Sequence, residues 1–205
     1  MLVRYLICPE VVADVERAAS EQMLSDVAIE QLEIFARSDV LTGISYIFTS
    51  EWHGARQAGS VLAEHLTVRP VADPDMNECE TMVIAPLPKR GVLDRIGQVF
   101  AKPLSGQLEG RETAQDAQDR IAAAYHLAME QVIARGMRGD VLFVGHGRIG
   151  ALLQCHLTGQ SIGSQADAPL PGHHFAYDWG ARKMLHGWRP MHELTTAMFA
   201  MPNDG

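Results

Sequence analysis

Four short segments of the chain carry polar side chains at the ends of predicted strands or in a predicted lid. They are residues 7–10, 49–56, 77–78 and 145–150. In an open α/β sheet, ligands bind beyond the carboxyl ends of the strands, where loops and helix N-termini meet. His146 is the sharpest candidate, because a His between two glycines at a helix start can meet an anion together with backbone N–H groups. A His that only completes the turn would show the same pattern.

The segments that must position these side chains alternate between apolar runs and amphipathic helices, which indicates an α/β layer fold. We predict strands at 2–7, 44–48, 68–71 and 141–144, helices at 26–37, 55–66, 113–136 and 147–159, and an edge hairpin from 175–177 and 183–188. This pattern predicts a single three-layer α/β/α domain over residues 1–205, with a mixed, mainly parallel sheet. A lid interrupts it from about residue 73 to residue 110, with one short helix at 92–100.

The charge balance argues against two classes of partner. The chain carries 17 Lys plus Arg against 25 Asp plus Glu, a formal net charge of −8. Because phosphate backbones and anionic membranes are held by clustered basic charge, we expect neither nucleic acid nor a membrane as the main partner. No apolar run approaches the roughly 20 residues that span a bilayer, and the first residues lack the basic region and cleavage site of a signal peptide. These features predict a cytoplasmic protein.

Cysteine and histidine spacing gives no metal signature. The three cysteines show no CxxC spacing, so we expect reduced thiols and neither a disulfide framework nor a cysteine-built zinc site. His126 and His156 likewise have no ligand spacing. The adjacent pair His173 and His174 follows a Pro/Gly loop and is expected at the surface.

Five motifs follow one another in a recognisable order. They are Thr49-Ser50 with Ala55-Arg56-Gln57, Asn77-Glu78, Gly110-Arg111-Glu112-Thr113, Arg120 on the long helix, and Gly145-His146-Gly147. In this order they resemble the histidine phosphatase superfamily, which has the phosphoglycerate-mutase-like fold. The resemblance covers roughly residues 2–159. It implies phosphomonoester hydrolysis or phosphoryl transfer through a phosphoenzyme, with a small phosphorylated molecule as partner and no metal or other cofactor.

The resemblance assigns roles to individual residues near the late strand and the lid. It places the family's second pocket His on His146, with Gly147 beside it among the ligand-binding positions. The acid that protonates the leaving group falls on Glu78.

The family's first motif, Arg-His-Gly-Glu at the end of the first strand, has two registers here. Arg4-Tyr5 keeps the Arg and replaces the nucleophilic His with Tyr. Ile7-Cys8-Pro9-Glu10 keeps the final acid at Glu10 and puts Cys8 in the nucleophile's place. We favour the second register, because it leaves a full strand before the motif, whose residues must lie at the strand end to face a pocket. In both registers the nucleophilic His is absent, and Arg4 stays a candidate ligand-binding residue.

The family's basic residue after the second strand falls on Gly54, with His53 and Arg56 as the neighbouring ligand-binding candidates. On a helix, side chains one or two positions from Gly54 do not point in the same direction as a side chain at Gly54 would. Losing one preorganised donor to a developing oxyanion typically costs about 3 kcal/mol, so losing two charged ones costs a factor of roughly 10⁴ or more in rate. We therefore expect turnover by the family mechanism to be strongly impaired.

Cys8 has two interpretations. It could be a nucleophile partnered by His146, since a nearby cation or helix terminus lowers the pKa of a thiol. Cysteine-dependent phosphatases, however, carry an Arg six residues after the Cys, and that position here is Asp14. An inert, buried Cys8 is the other interpretation.

These motifs lead to two main function hypotheses. The first is a phosphomonoesterase in which Cys8, His146 and Glu78 act as nucleophile or base, phosphate stabiliser and acid. The second is a catalytically inactive phospho-ligand-binding or regulatory protein on the same fold. A thiol or metal hydrolase in the same cleft is a third. The sequence determines neither the substrate nor whether a homo-oligomer forms.

Overall fold

The computed structural model describes residues 1–79, 112–163 and 170–191. Its strands are β1 (Leu2–Ile7), β2 (Ile44–Ser50), β3 (Pro70–Asp73), β4 (Asp140–Gly145), β5 (His173–Asp178) and β6 (Lys183–Pro190). Its helices are α1 (Asp26–Ala36), α2 (His53–Leu66), α3 (Ala114–Ala134) and α4 (Gly147–Thr158). None of these helices is long and apolar enough to cross a membrane. Most of the predicted lid, including the helix at 92–100, lies outside the described residues.

The six strands form one mixed sheet in the order β3-β2-β4-β1-β5-β6. β3, β2, β4 and β1 are parallel neighbours, whereas β5 runs antiparallel to β1 and β6 antiparallel to β5. The predicted mixed, mainly parallel sheet is therefore confirmed. Because parallel strands end at the same edge, the segments that follow β1, β2 and β4 meet there.

Helices cover both faces of this sheet, which confirms the three-layer α/β/α prediction. Residues of β1 contribute to two separate hydrophobic cores, one on each face of the sheet. Val3 and Tyr5 pack with residues of α3 and α4, whereas Leu6 packs with residues of α1 and α2. β4 is buried on both faces, as its continuous apolar run predicts.

The residues at the helix ends explain where the helices start and stop. The Ser25 hydroxyl accepts the N–H of Ala28 and begins α1. Thr113 and Asp116 form the predicted capping box at the start of α3. Gly159 ends α4 with a φ of +67°, a left-handed conformation that Gly adopts without a Cβ penalty.

The third strand begins two residues later than predicted. Thr67 ends α2 in the left-handed conformation, and the N–H of Val68 bonds back to the carbonyl of Ala63. Residues 68 and 69 therefore connect the helix to the strand and belong to neither. β3 starts at Pro70 on the sheet edge, where Pro is tolerated because one side of the strand needs no ladder donor.

Candidate functional site

The carboxyl ends of β1, β2 and β4 surround a cavity of about 360 Å³, which we call the strand-end pocket. Its walls are partly apolar. The lining residues that could contact or react with a ligand are Cys8, Glu10, Trp52, Glu78, His146 and Gly147. The structure thus brings five of the predicted site residues to one lining, and Trp52 joins them although sequence reasoning gave it no role.

His146 is held in one orientation by a chain of hydrogen bonds. Its Nε2 lies 2.8 Å from Ser50 Oγ, and its ring packs on Trp52 with centroids 4.5 Å apart. The Ser50 hydroxyl donates to Asn77 Oδ1 at 2.7 Å, and the N–H of Glu51 donates to the same oxygen. Because the Ser50 hydroxyl proton is donated to Asn77, the Ser50 oxygen can only accept a hydrogen bond from His146. Nε2 therefore carries the imidazole proton, and Nδ1 carries the lone pair.

Arg120 on α3 clamps the segment that carries Asn77. Its guanidinium binds both carboxylate oxygens of Glu112, at 2.6 and 3.0 Å, and donates to the carbonyls of Asp75 at 2.6 Å and Asn77 at 3.0 Å. Bidentate pairs of this kind are strong and geometrically specific. Arg120 therefore positions Asn77, which holds Ser50 against His146.

The carboxylate of Glu78 caps α4. It accepts the backbone N–H groups of Arg148 at 3.3 Å and Ile149 at 3.1 Å, and that of Cys79 at 3.0 Å. The N-cap residue His146 makes no side-chain cap, so Glu78 supplies the negative charge that a helix N-terminus favours. It lies at the helix start that was predicted to meet an anionic ligand.

Cys8 lies directly after β1, where its N–H donates to the carbonyl of Gly145 at 2.7 Å. Its side chain is 7% exposed, and burial raises the pKa of the thiol to about 12. A Cβ atom at Gly54 would lie 3.2 Å from Cys8 Sγ and 2.9 Å from Val11 Cγ1. Gly54, at which the resemblance predicts the family's basic residue, is thus packed against the Cys8 thiol, with no room for a longer side chain.

The alternative register puts Tyr5 in the nucleophile's place, whereas the structure puts Tyr5 in the core. Its ring is fully buried and stacks on Phe175, and its hydroxyl donates to the carbonyl of His146 at 2.9 Å. Cβ atoms at Gly145 and Gly150 would collide with the Tyr5 ring. Both glycines therefore make room for Tyr5, which supports the turn at His146 from inside the sheet.

Three predicted ligand-binding residues lie outside the pocket lining. His53 and Arg56 are exposed on α2. Arg4 lies in the middle of β1, opposite Ala176, with its Nε buried and unpartnered among the described residues. The structure does not bring these residues together with Cys8 and His146.

The electrostatics of the strand-end pocket are unfavourable for a phosphate dianion. Among the described residues, no Arg or Lys lines the pocket, whereas the two carboxylates Glu10 and Glu78 do. Burial lowers the pKa of His146 and outweighs the opposing effect of Glu78, so the ring is neutral near pH 7. Within the described ranges, no group of three or more His, Cys, Asp or Glu side chains is placed to hold a metal ion.

The expectation that His174 lies at the surface is wrong. The structure extends β5 back to His173, and successive residues of a strand point to opposite faces. His174 consequently packs on Phe35 of α1, with ring centroids 5.1 Å apart. Burial, and then the neighbouring His186, lowers its pKa to about 3.

Comparison with known proteins identifies a family. Residues 14–174 match the family described as histidine phosphatase superfamily (branch 1). The matched range begins after Cys8 and Glu10, so it does not include the first motif. No curated protein sequence matches the chain significantly.

Two solved structures with the same fold are those of phosphatases. A mycobacterial glucosyl-3-phosphoglycerate phosphatase in complex with inorganic phosphate has a TM-score of 0.73 and 14% identity, over 93% of this chain and 98% of that chain. The alpha-ribazole phosphatase from Shigella flexneri has a TM-score of 0.67 and 15% identity, over 93% and 95%. At these identities the similarity establishes the fold, in agreement with the resemblance drawn from the order of the motifs.

Proposed function

Because the chain belongs to the histidine phosphatase superfamily, we propose that it uses the family's pocket to bind a small molecule without hydrolysing phosphomonoesters. The observation that carries this proposal is that the Glu78 carboxylate is already hydrogen-bonded to the backbone. It accepts two backbone N–H groups at the start of α4. A group that is to protonate a leaving oxygen must face the substrate, whereas both carboxylate oxygens of Glu78 are engaged by the backbone N–H groups of Cys79, Arg148 and Ile149.

The protonation state of the Cys8 thiol supports the same proposal. The thiolate, not the thiol, is the nucleophile, and a pKa of about 12 leaves roughly one thiol in 10⁴ ionised at pH 8. His146 brings no positive charge that would lower the pKa of the thiol, because its ring is neutral and its Nε2–H binds Ser50. No Arg or Lys among the described residues of the lining supplies that charge either.

The lining also sets the class of ligand. Apolar walls from Ile7, Val11 and Trp52 suit a hydrocarbon or ring portion, and the carboxylates of Glu10 and Glu78 disfavour an added anion. The ligand of the strand-end pocket is therefore a neutral or cationic small molecule with an apolar part.

Hydrolysis of a phosphomonoester, with Cys8 as nucleophile, is the second candidate. Cys8, His146 and Glu78 line one cavity, as that hypothesis requires. The small phosphorylated partner implied by the family resemblance belongs to this candidate.

An activity assay separates the two candidates. Hydrolysis of 4-nitrophenyl phosphate is measured over about pH 4 to 9 for the unmodified chain, Cys8→Ala and His146→Ala. Cys155→Ala is the matched control, because Cys155 is a buried thiol that does not line the pocket. We expect no turnover above background in any of the four proteins. Turnover that Cys8→Ala and His146→Ala abolish, and Cys155→Ala retains, would establish hydrolysis instead.

A binding assay tests the ligand class. The indole N–H signal of Trp52, assigned with Trp52→Phe, is followed by NMR during titration with benzylamine and with phenyl phosphate. Benzylamine is expected to shift this signal saturably, whereas phenyl phosphate is expected to leave it in place. A shift caused by phenyl phosphate, or no shift with either compound, would contradict the proposed ligand class.

A further inference from the structure

A second and larger cavity lies at the opposite end of the sheet. It has a volume of about 600 Å³, and we call it the hairpin cavity, because the turn between β5 and β6 forms one side of it. Helices α3 and α4 form the other side. The residues that matter to its chemistry are Tyr125, His126, His156, Tyr177, Trp179 and Arg182.

The two cavities do not overlap. β1 pairs with β5 in antiparallel register, so Val3 lies opposite Tyr177, while Cys8 follows the other end of β1. At about 3.3 Å per residue, these two ends are separated by roughly 15 to 20 Å. α4 connects them, because it begins at His146 in the strand-end pocket and carries His156 near its last turn.

Two tyrosines line the hairpin cavity with hydroxyls that are open to it. Tyr125 is 3% exposed and Tyr177 is 5% exposed, and neither hydroxyl has a hydrogen bond to another described residue. Neither oxygen is a buried atom without a partner, so each reaches the solvent of the cavity. Because a Tyr hydroxyl both donates and accepts, the two hydroxyls can bond to water or to a polar group of a ligand.

A histidine pair lies at the open side of the same cavity. The Nε2 atoms of His126 on α3 and His156 on α4 are 3.1 Å apart, although 30 residues separate them in the chain. One ring donates to the other, which requires at least one neutral ring, because two imidazolium groups at this distance would repel. The pair can take up one further proton, and an anion beside it would favour that protonation.

Arg182 adds a fixed positive charge. It lies in the β5–β6 turn with a φ of +51°, which is uncommon for a residue other than Gly. It forms no ion pair with any described residue. Trp179, three residues earlier in the same turn, is partly buried and lines the cavity. No described Asp or Glu lines the hairpin cavity.

We propose that the hairpin cavity binds a small organic anion built on a flat ring. Arg182 and the His126–His156 pair receive the carboxylate or phosphate group, because charge-assisted hydrogen bonds to such groups are the strong ones. Trp179 stacks against the ring, and the hydroxyls of Tyr125 and Tyr177 bind its polar substituents. This site is independent of the function proposed for the strand-end pocket.

Four probes test the proposal by NMR on the full chain, with backbone amide shifts locating the site. Phenyl phosphate and benzoate carry both a ring and an anion, benzyl alcohol carries only the ring, and inorganic phosphate carries only the anion. We expect saturable shifts at residues 177–182 with the first two probes, at dissociation constants in the millimolar range or below. The tighter of the two identifies the preferred anion. The proposal would be overturned if benzyl alcohol or inorganic phosphate bound equally well. It would also be overturned if the shifts occurred at residues 145–148 instead, or if no probe bound.

Variants then separate recognition from folding. Arg182→Asn removes the charge while tolerating positive φ, and it is expected to weaken phenyl phosphate binding about tenfold or more. Lys183→Gln removes the adjacent exposed charge, which does not line the cavity, and should leave binding unchanged. Tyr177→Phe deletes only the unpartnered hydroxyl and should weaken binding severalfold without lowering the unfolding midpoint. If Lys183→Gln weakens binding as much as Arg182→Asn, the effect is general surface charge and the proposed site is wrong.

Discussion

The strand-end pocket and the hairpin cavity differ in how their polar groups are used. In the strand-end pocket, Glu78 is bonded to α4 and His146 to Ser50. In the hairpin cavity, the hydroxyls of Tyr125 and Tyr177 have no partner among the described residues. Polar groups that satisfy one another stabilise the fold, whereas unsatisfied ones are available to a ligand. The hairpin cavity is thus better prepared for an anion than the strand-end pocket is.

The two cavities also have opposite charge. Glu10 and Glu78 line the first, while Arg182 and two histidines line the second. The fold fixes where a pocket forms, because strand ends and helix starts meet there. The charge of the lining depends on single side chains, which can differ between proteins of one fold.

The reactivity of Cys8 is expected to be about 10³-fold below that of a free thiol. At pH 8, a thiol with a pKa of about 12 is ionised to roughly 10⁻⁴, against about a quarter for an ordinary Cys. The measurement is the rate of alkylation by iodoacetamide in a Cys79→Ser, Cys155→Ser background, with the unfolded chain as reference. Rapid alkylation of native Cys8 would support the hypothesis that Cys8 is a nucleophile. It would also contradict the view that the polar groups of the strand-end pocket are unavailable to a ligand.

Arg120→Ala is expected to lower the free energy of unfolding by about 3 kcal/mol. The substitution leaves the largely buried Glu112 without its bidentate partner and releases the carbonyls of Asp75 and Asn77. Urea unfolding measures the loss. Arg17→Ala is the control, because its ion pair with Asp14 is exposed and contributes under about 1 kcal/mol. Equal losses in the two variants would show that the clamp on the strand-end pocket is not structural.

Glu78→Ala is expected to cost about 1 to 2 kcal/mol of unfolding free energy, because it uncaps α4. Glu10→Ala removes the other carboxylate of the same lining, which is exposed, and should cost much less. Thermal unfolding of both variants, side by side, provides the measurement. A destabilisation no greater for Glu78→Ala than for Glu10→Ala would mean that Glu78 is free to act on a ligand.

Benzoate binding in the hairpin cavity is expected to strengthen about threefold from pH 7.5 to pH 5.5. Partial burial, and then His126, lowers the pKa of His156, while Asp119 raises it. A bound anion favours the charged ring, so affinity rises as the pH falls through this range, where Arg182 stays charged and benzoate stays ionised. His156→Gln should flatten the dependence. An affinity that is independent of pH in the unmodified chain would exclude the histidine pair from the anion's contacts.

Much of the architecture follows from local signals in the sequence. Ser25 and Thr113 cap helices where their hydroxyls predict, because capping involves residues only two or three positions away. The buried run from Val141 to Val144 identifies the central strand. The error at β3 has a local cause that the pattern concealed, since Thr67 extends the end of α2 through a left-handed turn.

The family resemblance and the candidates Cys8, Glu78 and His146 could be predicted from the sequence, because motif order and strand ends are visible along the chain. The use of these groups depends instead on the tertiary structure. The contact between His146 and Ser50 joins residues 96 positions apart. The His126–His156 pair arises because α3 and α4 pack side by side on one face of the sheet. Partners, burial and hence pKa values depend on such distant contacts, which no spacing in the sequence encodes.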